Sequence, residues 1–240
     1  ANTTGALNTA VGLESLAANT TGSGNIAIGY AALDANTTAS NNTAVGYAAL
    51  STSTTATGNT AFGYSALTAA IAGDNTAVGM EALLDNTTGT NNTAVGKRSG
   101  YNITTGDDNT AIGQEALFTA TTASDNTAVG FQALYSNSSG ANGVAIGHNA
   151  LFNNTTASNN VAVGFSALST NTTGDNNIAM GSYALDANTT GAQNVGIGVH
   201  ALGGNTTATG NVAVGEDSLK ANTTGAGNVA VGKGAGDTLT

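Results

Sequence analysis

The chain has 240 residues with no Cys, no Pro and no Trp, and 4 Lys+Arg against 14 Asp+Glu give it a formal charge of -10. The lack of cysteine excludes a disulfide framework, a thiolate zinc site, an iron–sulfur cluster and a thiol nucleophile, and the acidic balance argues against nucleic acid as a partner. No apolar run approaches the roughly 18 residues of a membrane span, and the opening stretch Ala1 to Gly5 does not read as a secretory signal.

Only 43 of the 240 residues are Leu, Val, Ile or Phe, a level at which disorder is normally suspected. Disorder also calls for high charge, yet charged residues make up 8% while 45 Ala and 34 Gly fill the gap. That composition points to an ordered, low-complexity repeat.

The repeat is explicit. Taking Asn-Thr-Ala-Val-Gly at Asn8 to Gly12 as the anchor, related segments begin at 25, 42, 59, 75, 92, 109, 126, 143, 160, 177, 194, 211 and 228. Residues 1–240 therefore read as one continuous array of fourteen copies spaced by 17 residues, with one 16-residue step around Thr68 to Gly73. We number the positions of the unit from the anchor Asn. A 17-residue period is too short for a helix pair, and the apolar residues lack the i, i+3, i+4 spacing of a helix.

Within each copy the first predicted element is a short strand. Position 2 (Thr9, Ile26, Val161, Val229) and position 4 (Val11, Ile28, Phe62, Met180) alternate around an almost unvarying Ala, with Gly196 the exception. Period two means strand. Because position 4 is apolar in every copy, positions 2 and 4 are expected to face the interior and Ala the exterior. Gly ends the strand. Leu follows four residues later in twelve copies (Leu16, Leu33, Leu50 and onward, with Gly100 and Gly236 instead in two) and is expected to form the opposite wall. The frequent Asn-Thr-Thr-Gly stretch that closes the copy is turn chemistry.

One such copy buries too little to fold alone, so copies must stack and pair their backbones. The expected fold is all-β: a β-solenoid with identical residues above one another about 4.8 Å apart, fourteen coils giving a rod of about 65 Å. The anchor Asn column, broken only by Gly143, should form an amide ladder. Ala1 and Thr240 fall inside a repeat, without the polar caps isolated solenoids require, so the chain is expected to be an excerpt or to stack end to end.

Asn-Val-Ala-Val-Gly at 211–215 and 228–232 and Ile-Ala-Ile-Gly at 26–29 resemble the head repeats of trimeric autotransporter adhesins and related phage tail-fibre repeats. The resemblance covers the whole chain. It implies a left-handed β-roll, three chains side by side as a homotrimer, and display outside a cell or on a virion. Two features depart from that family: the unit is longer than its usual head coil, the turn being the addition, and no neck, heptad stalk or membrane anchor is found. Independently, an outward Ala column (Ala10, Ala27, Ala44, Ala61, Ala77, Ala94) would make a smooth apolar stripe that another chain could approach closely.

Chemistry-bearing residues are sparse. His148 and His200, the two histidines, lie three coils apart, about 14 Å at solenoid spacing, and read as exposed. No nucleophile elbow, phosphate loop or His-Glu-x-x-His helix occurs, so no enzymatic activity and no cofactor are expected. Asp107, Asp108 and Asp125, with Asp74 at the same edge, could attract a cation but lack the Gly-Gly-x-Gly-x-Asp pattern of calcium rolls and also read as a solvated edge. Tyr30, Tyr47 and Tyr64 follow the Gly in successive coils, with Phe131 and Phe165 there later. They would stack as a column that either binds a cell-surface glycan or receptor or covers neighbouring strands. Eight or more Asn-x-Thr/Ser matches, such as Asn19-Thr20-Thr21, formally fit N-glycosylation acceptors, though the repeat itself accounts for them.

The function expected is that of an extracellular structural fibre segment, an adhesin head or tail-fibre shaft whose partners are copies of itself. Two alternatives stand beside it: a filament subunit stacking end to end, and an ice-binding solenoid. Against the last, the strand Thr shares the expected inward parity of Val11 and gives way to Val or Ile in seven copies.

Overall fold

The structure, a computed structural model, describes residues 2–239. It is all-β, a parallel β-solenoid with a 17-residue repeat, and it divides into two compact units, Ala1–Ala123 and Ser124–Thr240. Unit 1 carries β1 (Thr9–Val11), β2 (Ile26–Ile28), β3 (Thr43–Val45), β4 (Thr60–Phe62), β5 (Thr76–Val78), β6 (Thr93–Val95) and β7 (Thr110–Ile112). Unit 2 carries β8 (Thr127–Val129), β9 (Val144–Ile146), β10 (Val161–Val163), β11 (Ile178–Met180), β12 (Val195–Ile197), β13 (Val212–Val214) and β14 (Val229–Val231). Within each unit successive strands pair in parallel, Ala on Ala: Ala27 with Ala44, and Ala145 with Ala162. The short step preserves register, since Thr60 pairs with Thr76 and Phe62 with Val78.

Three-residue strands alone would make a weak sheet, so the coils are joined all the way round. In the coil that begins at Asn25, the N–H of Ile26 donates to Asn42, Leu33 to Ala49, Ala35 to Ser51 and Thr37 to Thr54 in the next coil. Gly29 donates back to Val11, Ala31 to Leu13 and Asn41 to Ser23 in the previous one. The alternation of up and down bonds accounts for almost every donor that burial would otherwise strand.

That pattern has a conformational cost. Ala31, Leu33 and Asn41 all have positive φ, at 51°, 53° and 61°. Positions 7, 9 and 17 repeat this left-handed geometry through both units, which for non-glycine residues costs energy unless the surroundings hold it. Position 5 demands glycine twice over: φ of Gly46 is 140°, and a Cβ there would stand 2.3 Å from the carbonyl oxygen of Gly63.

The strand alternation is as expected, but its sense is the opposite. Ala27, Ala44, Ala61, Ala77 and Ala94 have no exposed surface, whereas Phe62 is 56% exposed and Met180 41%. Ala10 has the same parity, paired with Ala27, in a first strand all of whose residues are exposed. The Ala column is thus interior and cannot be the contact stripe anticipated for it; positions 2 and 4 face outward. Coil width is the reason. A Cβ placed on Gly100, at the Leu position, would stand 3.7 Å from the Cβ of Ala94 on the strand. The interior is one side chain deep, so a large residue on one wall requires a methyl on the other. Leu takes the large role: Leu33, Leu50, Leu83, Leu134, Leu168 and Leu202 are fully buried.

Candidate functional site

The outward sheet face is the main chemical surface. In unit 1, position 4 presents Val11, Ile28, Val45, Phe62, Val78, Val95 and Ile112, and position 2 is Thr in every strand but β2. In unit 2 both columns are aliphatic from β9 onward: Val144 beside Ile146, Val161 beside Val163, Ile178 beside Met180, Val195 beside Ile197, and Val212 beside Val214. The exposed members include Ile146, Met180 and Ile197, at 37–41%. Nothing in their own coil covers them, because Gly turns the chain away at position 5.

Position 6 carries the aromatic column. Tyr30, Tyr47 and Tyr64 stack with ring centroids 5.0 and 5.2 Å apart and planes within 20° and 10°. These centroid separations match the coil spacing, so each ring turns its faces to the coils above and below. Tyr47 has a ring neighbour on each side and is still 50% exposed. Tyr30 also interacts with Glu14, whose carboxylate charge and hydrogen bond raise the phenol above its ordinary pKa.

Unit 2 builds a similar ladder, and both histidines belong to it. His148 sits between Phe131 and Phe165, at 5.0 and 5.2 Å, and His200 stacks on Tyr183 at 5.1 Å with planes 5° apart. They are ladder rungs as well as surface side chains, His148 exposed and His200 half-buried.

The acids of the expected edge serve the backbone. Asp107 Oδ1 accepts from the N–H and the hydroxyl of Thr90 at 2.7 and 2.9 Å. Ser40 plays that part for Ser23 N, and Asp175 for Ser158 N. Asp108 and Asp125 occupy the left-handed position 17, and Asp74 the matching last position of the 16-residue copy, with φ of 56°, 60° and 62°, where Asp and Asn are tolerated better than most residues. Among the described residues no three His, Asp or Glu side chains lie close enough together to hold a metal, no pocket opens, and no helix is long and apolar enough to cross a membrane.

Two amide ladders run through the interior, where one was expected. Along the anchor column, Asn25 N donates to Asn8 Oδ1 and Asn42 N to Asn25 Oδ1, at 2.9 and 3.0 Å, while Asn25 Nδ2 reaches the carbonyl of Ala39 at 2.8 Å. At the predicted gap, Gly143 keeps its own N–H bonded to Asn126 Oδ1 at 2.8 Å. The second column is the Asn of Asn-Thr-Thr, position 12. Its side chain turns inward: Asn171 Nδ2 donates to Asn154 Oδ1 and Asn188 Nδ2 to Asn171 Oδ1, at 3.0 and 2.9 Å. Turn composition concealed it, although Asn recurs there every 17 residues from Asn137 to Asn222; in unit 1 the column is broken by Ser53, Ala70, Ile103 and Ala120.

No protein-family model matches this chain, and no curated protein matches it in sequence.

Proposed function

We propose that this chain is a structural segment of an extracellular fibre, an adhesin head or tail-fibre shaft that works as a stiff spacer built from several copies side by side, as a homotrimer in a left-handed β-roll. The carrying observation is the outward sheet face: position 4 turns an apolar side chain outward in strand after strand, with Ile28, Phe62 and Ile112 exposed in unit 1 and Ile146, Met180 and Ile197 in unit 2. An apolar patch of that continuity is a protein contact far more often than a free surface. A second copy is the occupant that fits, because a regular face meets its own repeat in register and needs no charge pairing. The resemblance of residues 211–215 and 228–232 to trimeric adhesin heads supports the same assembly and an extracellular setting.

The test is mass in solution by sedimentation. The wild-type chain should run as a multimer, and Ile146→Lys, Val163→Lys and Ile197→Lys together should yield a smaller species with β-type circular dichroism retained. A monomeric wild type, or a triple variant of unchanged mass, overturns the side-by-side assembly and promotes end-to-end stacking.

Ice binding gains support from one observation. Thr43, Thr60, Thr76, Thr93 and Thr110 form an outward column in unit 1, partly exposed, and this removes the parity objection. Thermal hysteresis that Thr60→Lys and Thr93→Lys abolish would establish this reading in place of the fibre; its absence in the wild type would eliminate it.

A further inference from the structure

The buried position 12 ladder has a second chemical identity. Nine of its asparagines are followed two residues later by Thr or Ser and are at most 2% exposed: Asn19, Asn36 and Asn86 in unit 1 and the six from Asn137 to Asn222 in unit 2. Each fits the acceptor pattern for N-glycosylation. The atom that would carry the sugar is Nδ2, and most of these Nδ2 atoms are already committed inside the coil. Asn36 Nδ2 donates to Asn19 Oδ1 at 2.8 Å and to Ala39 O at 3.1 Å; Asn205 Nδ2 donates to Asn188 Oδ1 at 2.8 Å and to Ala208 O at 3.2 Å.

We infer that folding and N-glycosylation are alternative fates of this chain, and that it reaches its fold only where no oligosaccharyltransferase acts on it. The reaction joins Nδ2 to C1 of a lipid-linked oligosaccharide. The C1–oxygen bond to the lipid pyrophosphate breaks, the pyrophosphate leaves, and Nδ2 gives up one proton. The product has one donor hydrogen where the ladder uses two, and a bulky hydrophilic group at a site with no free volume. Timing favours the enzyme: a single copy buries nothing until its neighbours stack on it, so each acceptor is in open chain when first presented. Other acceptors lie on the surface, among them Asn41, Asn91 and Asn153, exposed at positions 17 and 11. A sugar on those would leave the coil intact.

The experiment translates the full chain, behind a secretory leader, into microsomes that carry the transferase. It is run with and without an inhibitor of lipid-linked oligosaccharide synthesis. Beside it runs a variant in which the nine position 14 hydroxyl residues, from Thr21 to Thr224, become Ala; this removes the nine acceptors and leaves every ladder Asn in place. Without inhibitor the wild type should gain a series of mass increments removable by peptide-N-glycosidase and lose its protease-resistant body. The inhibited wild type and the nine-site variant should keep it. A protease-resistant wild type made without inhibitor overturns the inference, whether its position 12 sites carry sugar or not. So does an inhibited wild type as protease-sensitive as the modified one, because the sugar is then not what prevents folding.

Discussion

Asn188 donates its Nδ2 proton to Asn171 Oδ1 at 2.9 Å from one coil further on, and Asn171 repeats the contact to Asn154 at 3.0 Å. Each amide in this run both gives and accepts, so removing one strands polar atoms on both sides. Asn171→Ala should cost about 2–4 kcal/mol, the penalty of leaving buried groups unpaired. Asn86 differs, because its column holds Ala70 before it and Ile103 after it, with no amide on either side. Asn86→Val should be close to neutral. Chemical denaturation of the two variants compares them directly, and equal losses would mean that the ladder adds nothing beyond volume.

The sense of the strand alternation predicts a second contrast. Ala162→Leu places a large side chain on the wall opposite Leu in a space one residue deep, and should cost about 1–3 kcal/mol by overpacking. Val45→Asp, on the outward face, should leave the coil's stability within about 0.5 kcal/mol, its effect falling on association instead. Thermal melts at low protein concentration separate the two; the reverse order would restore the parity expected from hydrophobicity alone.

Position 5 glycines combine strain with crowding, and two of them take the combination apart. In Gly164→Ala the new Cβ lies 2.7 Å from the backbone of Gly181 at φ of 136°, and a loss of about 3 kcal/mol or more is expected. In Gly232→Ala φ is 123° with nothing within 4 Å, so only the conformational cost remains and the loss should be visibly smaller. Equal midpoints in urea would show that contact between successive glycines is not what fixes the residue.

Burial raises the carboxyl pKa of Asp85, and likewise that of Asp186, where the charge of His200 offsets part of the effect. A raised folded-state value means the fold prefers the protonated acid. That preference is satisfied below the ordinary value of 3.8 and becomes a penalty as pH rises through the folded-state value. The double variant Asp85→Asn and Asp186→Asn should therefore melt higher than wild type at pH 7. The difference should be modest, because both groups are partly exposed, and should vanish below pH 3.8. A gap that is constant with pH would assign it to the amide's own contacts.

The solenoid is legible in the chain itself, because its signal is periodic. The 17-residue recurrence placed every strand at positions 2–4, the Gly at each strand end and Leu on the far wall, and it gave the anchor ladder through Asn25 and Asn42. The tertiary structure decided which face of the strand is inside. Alternation is symmetric under exchange of the two faces, and side-chain hydrophobicity, the natural tie-breaker, pointed to Val45 rather than Ala44. Coil width decides otherwise: with walls as close as Ala94 and Gly100, the interior has room for Leu from one side and only a methyl from the other. The same narrowness draws Asn36 and Asn171 inward from what reads as a turn, since the carbonyls of a tightly wound backbone need buried donors. That requirement arises only once the chain is closed into a coil.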